Sequence, residues 1–370
     1  MEINSLEHAR EIIAKTDAEI ADLFVRRMRA CAEVAAYKGE RGLPIFDPER
    51  EAFLLEKNSA LIEDPALRSY YSLFQKSVMD VSKQYQSALL QGLRVAYCGV
   101  EGAFAHIAAL RIFPGTQPVA FGDFADAYQS VLKGSCDCCV LPFENSYAGE
   151  VGQVLDLMYQ GDLYVNGVYA LPVVHDLLGI ETATVETVRQ VVSHPQALMQ
   201  CAKYTADRGY EILEASNTAV AAKMVAEQND PTLAAIASEE TARRYGLKIL
   251  DHDVNVSAAN TTRFAVFSRV RKEAVSKENT FILLFTLHNE VGALAKAVNI
   301  ISSHGFDMRV LRSRPVKDVP WQYYFYVEAV GDQTSDEGKR MLHALSVCCE
   351  ALKVAGHYTR EINLSKREDV

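Results

Sequence analysis

Long apolar runs are missing from this chain of 370 residues. The longest, such as Phe281–Phe285, fall far short of the ~20 residues needed to cross a bilayer. Positive charge is in deficit. Lys and Arg number 38 against 48 Asp and Glu, and the net charge of −10 speaks against nucleic acid as the main partner, while leaving room for local cationic pockets. The opening Met1-Glu2-Ile3-Asn4 lacks the basic and apolar character of a secretory leader. Among the eight cysteines one C-x-x-C spacing occurs, Cys136 and Cys139, and no second such pair is present to complete a metal site, so no metal is expected. Free thiols in this number suit a reducing cytoplasm. Cys136-Asp137-Cys138-Cys139 precedes Val140-Leu141-Pro142 and reads as a buried strand, because free cysteine is among the most buried residue types. A G-x-G-x-x-G fingerprint is also missing, so the short turn Gly99-Val100-Glu101-Gly102 argues only weakly for a dinucleotide.

Glycine and proline are absent from Leu6 to Lys38, which predicts one helix of ~50 Å. Apolar residues recur at Leu6, Ala9, Ile13, Ile20, Phe24, Cys31 and Val34, a helical period with one stripe to bury. Arg27 and Lys38 lie within ~20° of one face and ~16 Å apart along the axis, close enough to lean together around a small anion. Arg10 sits ~25 Å further back and off that face. If all three grip anions, Arg10 serves a second site, and an intertwined dimer provides one. The competing reading of these charges is a solvated helix face. Gly39 closes the helix. Asp47 suits an N-cap and Pro48 the first helical position, which puts Arg50 and Glu51 in the first turn of a second helix. A third helix is expected from about Ala66 to Leu90, with Ser82 and Gln86 four apart on one face.

Arg10, Arg27, Lys38, Asp47, Arg50, Glu51, Ser82 and Gln86 match the all-helical chorismate mutases, which residues 1–91 resemble along their whole length. The resemblance implies an all-α, intertwined helical dimer that rearranges chorismate to prephenate without nucleophile or cofactor. The substrate's two carboxylates would take guanidinium forks from Arg10 of the partner, Arg27 and Arg50. Lys38 and Gln86 would donate to the ether oxygen as its bond breaks. Glu51 and the Asp47 region would hold the ring hydroxyl.

From Leu93 the pattern becomes short apolar runs alternating with helices. Strands are expected at Leu93–Tyr97, Cys138–Pro142, Gln190–Ser193 and Phe264–Phe267, and helices at Ala105–Phe113, Phe124–Lys133, Gln196–Asp207 and Ser238–Tyr245. This predicts an α/β fold with mostly parallel sheets in two lobes, and ligands at strand carboxyl ends. Glu144-Asn145-Ser146 follows one strand. Ser193-His194-Pro195-Gln196 bridges strand to helix, where amide donors face an incoming anion. Thr261-Thr262-Arg263-Phe264 leads into the last strand; there an arginine serves equally as an edge-protecting charge.

In this order, the glycine turn, E-N-S, S-H-P-Q and T-R-F resemble prephenate dehydratase over residues 92–271, a two-lobed α/β domain of the periplasmic-binding-protein kind. The resemblance implies loss of the ring hydroxyl and one carboxylate together, driven by aromatisation. It makes Thr262 the donor to the leaving hydroxyl and Arg263 a carboxylate clamp, with Phe264 completing the motif. Glu144, Asn145, Ser146, Ser193, His194, Gln196, Asn217 and Thr218 would line the cleft. Val100, Ala103 and Ala105 replace the family's usual proline and hydroxyl residues, whereas Phe104 and His106 are retained.

Arg271–Asn279 reads as a linker. Beyond it come strand Thr280–Leu287, helix Ala293–His304, strand Met308–Arg314, strand Gln322–Ala329, a helix from about Asp336 to Leu352 and a short strand near Tyr358. This βαββαβ order predicts an α+β ferredoxin-like fold. Residues 278–370 resemble the ACT regulatory domain, which implies phenylalanine as allosteric effector. Gly292-Ala293-Leu294 matches the family's G-A-L motif, and Ser313-Arg314-Pro315 its E-S-R-P motif, with Arg312 at the glutamate position. The whole chain thus resembles a bifunctional enzyme of phenylalanine biosynthesis. The alternative is a two-lobed small-molecule binding protein with a helical dimerisation arm and no catalysis.

Overall fold

The computed structural model describes residues 6–40, 48–255, 260–271, 279–317 and 319–365, which fall into two compact units, 1–94 and 95–370. In the first, α1 (Leu6–Glu40) runs 35 residues. Glu7 in its first turn and Lys38 in its last complement the helix dipole. α2 (Pro48–Ser59) and α3 (Pro65–Gln91) follow, α3 capped by Asp64, whose side chain accepts from the Ala66 amide. The expected apolar stripe of α1 is open in the single chain: Leu6 is 67% exposed and Ile13 59%. Ala35 and Met79 are the buried apolar side chains among the described residues of this unit. A helix this long outruns the two shorter helices that could cover it.

The second unit begins with β1 (Val95–Cys98), α4 (Phe104–Ile112), β2 (Val119–Phe121), α5 (Phe124–Leu132), β3 (Cys138–Asn145), β4 (Gly149–Glu150), α6 (Gly152–Gln160) and β5 (Tyr164–Pro172). The chain then crosses into a second lobe of β6 (Asp176–Gly179), β7 (Gln190–Ser193), α7 (Pro195–Gln200), α8 (Ala202–Arg208), β8 (Glu211–Glu214), α9 (Thr218–Gln228), β9 (Leu233–Ala237), α10 (Glu239–Tyr245) and β10 (Lys248–Asp251). It returns as β11 (Thr261–Ser268), which lies antiparallel between β3 and β5. The second lobe's sheet runs β10-β6-β9-β7-β8. Both sheets are mixed rather than mostly parallel: β1 is parallel to β2 and β3, and β7 to β8 and β9, but β6 pairs antiparallel with β9 and β10. The return crossings of the chain impose this, because a strand re-entering from the far lobe runs against its neighbours. Cys138 and Cys139 are buried in β3, as expected, and all eight cysteines are free.

The remaining chain forms β12 (Thr280–Leu287), α11 (Ala293–Ser303), β13 (Asp307–Pro315), β14 (Tyr323–Val330), α12 (Asp336–Cys348), β15 (Cys349–Tyr358) and β16 (Ile362–Asn363). Strand order β13-β14-β12-β15 gives the expected ferredoxin-like sheet. Helix α12 stops at Cys348 rather than near Leu352, since Cys349 onward pairs with β12. Residues 92–271 and 278–370, read from sequence as separate domains, share one 11-stranded sheet. They join where Gly356 of β15 pairs with Val165 of β5 and where β16 pairs with Tyr169 and Ala170 of the same strand. Gly356 has φ 149°, and a Cβ there would overlap the Val165 carbonyl. Among the described residues no helix is long and apolar enough to cross a membrane.

Candidate active sites

In the helical unit α1 packs against α3, and Arg27 Nη1 donates to Ser82 Oγ. Ser82 in turn donates to the Val78 carbonyl at 2.7 Å. Gln86, one turn on, is buried with its Oε1 unpartnered. Polar side chains buried on the face that receives an arginine make a site for an anion with hydrogen-bonding groups. Glu51 pairs with Lys83 at 2.8 Å, a cation the sequence reading missed. Arg50 lies with its Cζ 5.8 Å from the centre of the Phe53 ring. Arg10 is exposed and Lys38 half-buried. Asp47 lies outside the described residues.

In the second unit a cavity of about 250 Å³ is lined by Ala103, Phe104, Asn145, Val173, His175, His194, Gln196, Ala197, Gln200, Ser216, Asn217, Thr218 and Thr262. A larger cavity of about 720 Å³ shares Asn145, Asn217 and Thr262 and adds Phe264. Residues from both lobes therefore meet on one space. Among the described residues no Lys or Arg lines either cavity. Anion attraction must come from elsewhere, and two helices begin there, α4 at Phe104 and α9 at Thr218. Ala103 stands at the N-cap of α4 and makes no side-chain bond to it, so the replacement of a hydroxyl residue by alanine leaves that helix start uncapped. Asn217 caps α9 by accepting from the Val220 amide, and His194 Nδ1 accepts from the Gln196 amide at the start of α7.

Asn145 is the hub. Its Oδ1 accepts the Tyr147 and Ala148 amides at 3.0 and 2.8 Å, and its Nδ2 donates to Thr262 Oγ1 at 3.0 Å and Asn260 Oδ1 at 2.9 Å. The Thr262 oxygen is thus engaged as an acceptor, which leaves its proton to donate elsewhere.

Four residues expected in the cleft line neither cavity: Glu144, Ser146, Ser193 and Arg263. Ser193 is fully buried and donates to the Ile236 carbonyl at 2.6 Å. Ser146 accepts the Thr261 amide at 2.9 Å. The reason for Arg263 is the pleat: β11 starts at Thr261, so Thr262 and Phe264 share one face and Arg263 takes the other. There its guanidinium meets Glu144 at 2.6 Å, Glu328 at 3.0 Å and Glu361 at 2.6 Å, with the Tyr358 hydroxyl at 3.0 Å. Burial alone would lower the pKa of this guanidinium, but Glu328 above all outweighs it and raises the value. Burial likewise works to raise the Glu328 pKa and is outweighed by Arg263, so the carboxyl is held below its usual range. Both partners stay charged. Arg312, at the family's glutamate position, pairs with the same Glu144.

Arg263 therefore ties β11 to β14 and β15. Replacing it with alanine strands a buried carboxylate, Glu328, and the expected loss is about 3–5 kcal/mol of stability. Urea denaturation followed by far-UV dichroism measures this; an unchanged midpoint contradicts it.

Expected effector residues occupy the ferredoxin-like part. Gly292 is left-handed at φ 83° and no side chain caps α11, which opens with Ala293 and Leu294. Ser313 is exposed. Arg314 is not free: it bonds Asp156 at 3.1 Å, the Tyr324 hydroxyl at 3.1 Å, and Glu150.

Residues 95–272 match the family described as Prephenate dehydratase, and residues 9–87 that described as Chorismate mutase type II. A bifunctional chorismate mutase/prephenate dehydratase of Enterobacter agglomerans is 31% identical over 377 aligned residues, covering 97% of each chain. A solved structure described as a novel type of quorum quenching acylase is 30% identical with a TM-score of 0.67, covering 72% of this chain and 97% of its own. The prephenate dehydratase of Arthrobacter aurescens, solved in complex with L-Phe, shares the fold at 24% identity, with a TM-score of 0.67 over 72% of this chain and 90% of its own.

Proposed function

This chain belongs to the bifunctional chorismate mutase/prephenate dehydratases, and from that membership we propose how its parts divide the work. The helical unit rearranges chorismate to prephenate. The α/β lobes remove the ring hydroxyl and one carboxylate of prephenate, giving phenylpyruvate on the way to phenylalanine. The observation that carries the reading is the presence of both family matches in this chain, together with its alignment along 97% of its length to a relative named for both activities.

In the mutase unit Arg27, Lys38 and Arg50 bind the substrate carboxylates, Lys38 and Gln86 donate to the ether oxygen, Ser82 orients Arg27, and Glu51 with Asp47 holds the ring hydroxyl. Holding the substrate in a reactive chair completes the catalysis. Arg10 serves the partner's pocket in a homodimer. The open apolar stripe on α1 supports a second copy as its cover. A mixture of Arg10→Ala and Arg27→Ala proteins, after proven subunit exchange, is expected to regain up to about a quarter of the mutase activity through heterodimers holding one intact pocket. Chorismate loss followed by absorbance measures it, and no recovery rejects the shared pocket.

In the dehydratase lobes Thr262 donates to the leaving hydroxyl. Asn145, His194, Gln196, Asn217, Thr218 and Phe264 shape the cavity, and the starts of α4 and α9 receive substrate carboxylates in place of an arginine. The ferredoxin-like part acts as an ACT domain. Phenylalanine binds at Gly292, Ala293 and Leu294, where uncapped amides can take a carboxylate. Ser313 and Arg314 connect that event to the lobes, because Arg314 already grips Asp156 of α6. The free thiols fit a cytoplasmic enzyme.

A further inference from the structure

His175 directly precedes β6. It follows the run Leu171-Pro172-Val173-Val174, is 2% exposed, and lines the same cavity as Thr262 and Asn145. Its Nδ1 is buried without a partner among the described residues. An unsatisfied buried acceptor costs roughly 1–3 kcal/mol, so a persistent one calls for a reason.

Backbone amides decide what that nitrogen is. The Tyr147 and Ala148 amides can only donate, so the atom of Asn145 that receives them is its carbonyl oxygen. Asn145 must then donate through Nδ2 to Asn260 Oδ1 at 2.9 Å. Asn260 in turn donates through its own Nδ2 to Gln200 Oε1 at 2.9 Å. That oxygen also meets His175 Nε2 at 2.9 Å, and an amide oxygen can only accept. The proton of the imidazole therefore sits on Nε2. Burial lowers the ring's pKa to about 4, so it is neutral near pH 7 and Nδ1 is a bare lone pair. The same amides fix Thr262, whose oxygen accepts from Asn145 and whose proton is free. One hydrogen-bonded chain thus leaves a donor on Thr262 and an acceptor on His175 unengaged, in two residues that line one cavity.

We propose that His175 positions the dehydratase substrate, its Nδ1 accepting the proton of the ring hydroxyl while Thr262 donates to that hydroxyl's oxygen. This rests on the dehydratase reading above. The two contacts turn a lone pair of the oxygen toward Thr262. As the carbon–oxygen bond breaks with its pair, the pair of the carbon–carboxylate bond enters the ring, carbon dioxide leaves, and the hydroxyl gains one proton from Thr262, replaced from solvent, to become water. His175 stays neutral throughout and forms no covalent bond to substrate.

Two substitutions separate its nitrogens. Glutamine in H175Q keeps a donor near Nε2 and loses the acceptor; asparagine in H175N keeps an acceptor near Nδ1. Dehydratase turnover of prephenate is expected to fall about ten- to a hundredfold in H175Q, the worth of one such hydrogen bond, and less in H175N. Inhibition by phenylpyruvate, which lacks the hydroxyl, should stay within about twofold of wild type in both, because that bond is not available to it. Wild-type turnover in H175Q, or equal damage in both variants, overturns the proposal. In the unaltered protein, ¹⁵N spectra of the histidine rings should show a bare Nδ1 on His175 that shifts upfield with a non-reacting ring-hydroxyl analogue and not with phenylpyruvate. A protonated or unresponsive Nδ1 overturns it independently of any variant. Absence of phenylpyruvate formation by the wild-type protein is a different failure, that of the dehydratase reading itself.

Discussion

Replacing Thr262 with alanine is expected to lower dehydratase turnover by about 10²–10⁴-fold, the usual worth of a positioned proton donor. Chorismate rearrangement should remain at the wild-type rate. The physical reason is the polarity of the site: Asn145 Nδ2 donates to Thr262 Oγ1, so the hydroxyl has only its proton to offer the substrate. The fold should survive. Asn145 keeps Asn260 and the Thr261 carbonyl as acceptors once the hydroxyl is gone, and Thr262 is only half-buried on its strand. Serine at this position restores the hydroxyl and should recover most of the rate. Phenylpyruvate formation from prephenate measures all three proteins, and an unaltered rate in the alanine variant refutes the assignment.

The complementary change is Arg27→Ala, which is expected to reduce mutase turnover by about 10²–10³-fold, since losing one half of a buried charge-assisted contact costs several kcal/mol at ~1.4 kcal/mol per tenfold. Arg27 reaches across from α1 to Ser82 on α3, so alanine removes both a charge for the substrate and the group that Ser82 holds in place. Lysine at the same position keeps the charge and loses the fork, and should recover only part of the activity. Dehydratase activity on supplied prephenate should not change. Loss of both activities together would falsify the assignment of the two reactions to separate sites.

Much of this was legible in the sequence because local rules agreed with the fold. The run without glycine or proline became α1, and the helix expected from about Ala66 to Leu90 became α3. The βαββαβ order of the last part appeared with its ferredoxin-like strand order. The misreadings share a cause in contacts distant along the chain. Arg263 sat in a motif whose residues look equivalent on paper, but starting β11 three residues early turned it to the opposite face. The helix expected over Gln196–Asp207 breaks at Cys201 into α7 and α8. No local breaker marks that position. The sheet shared by residues 92–271 and 278–370 also depends on distant contacts, the pairing of β5 with β15 at Gly356 and with β16 at Ile362 and Asn363. His175 was readable as a histidine within an apolar run, but its role depends on Gln200, Asn260 and Asn145, which come together only in the fold.

The central claim is that one chain carries both reactions in sequence. The most direct measurement supplies purified protein with chorismate alone and follows phenylpyruvate. Wild-type protein should form it, Arg27→Ala should form it only when prephenate is added, and Thr262→Ala should accumulate prephenate. Failure of the wild-type protein to convert chorismate, or conversion that stops at prephenate, would contradict the account.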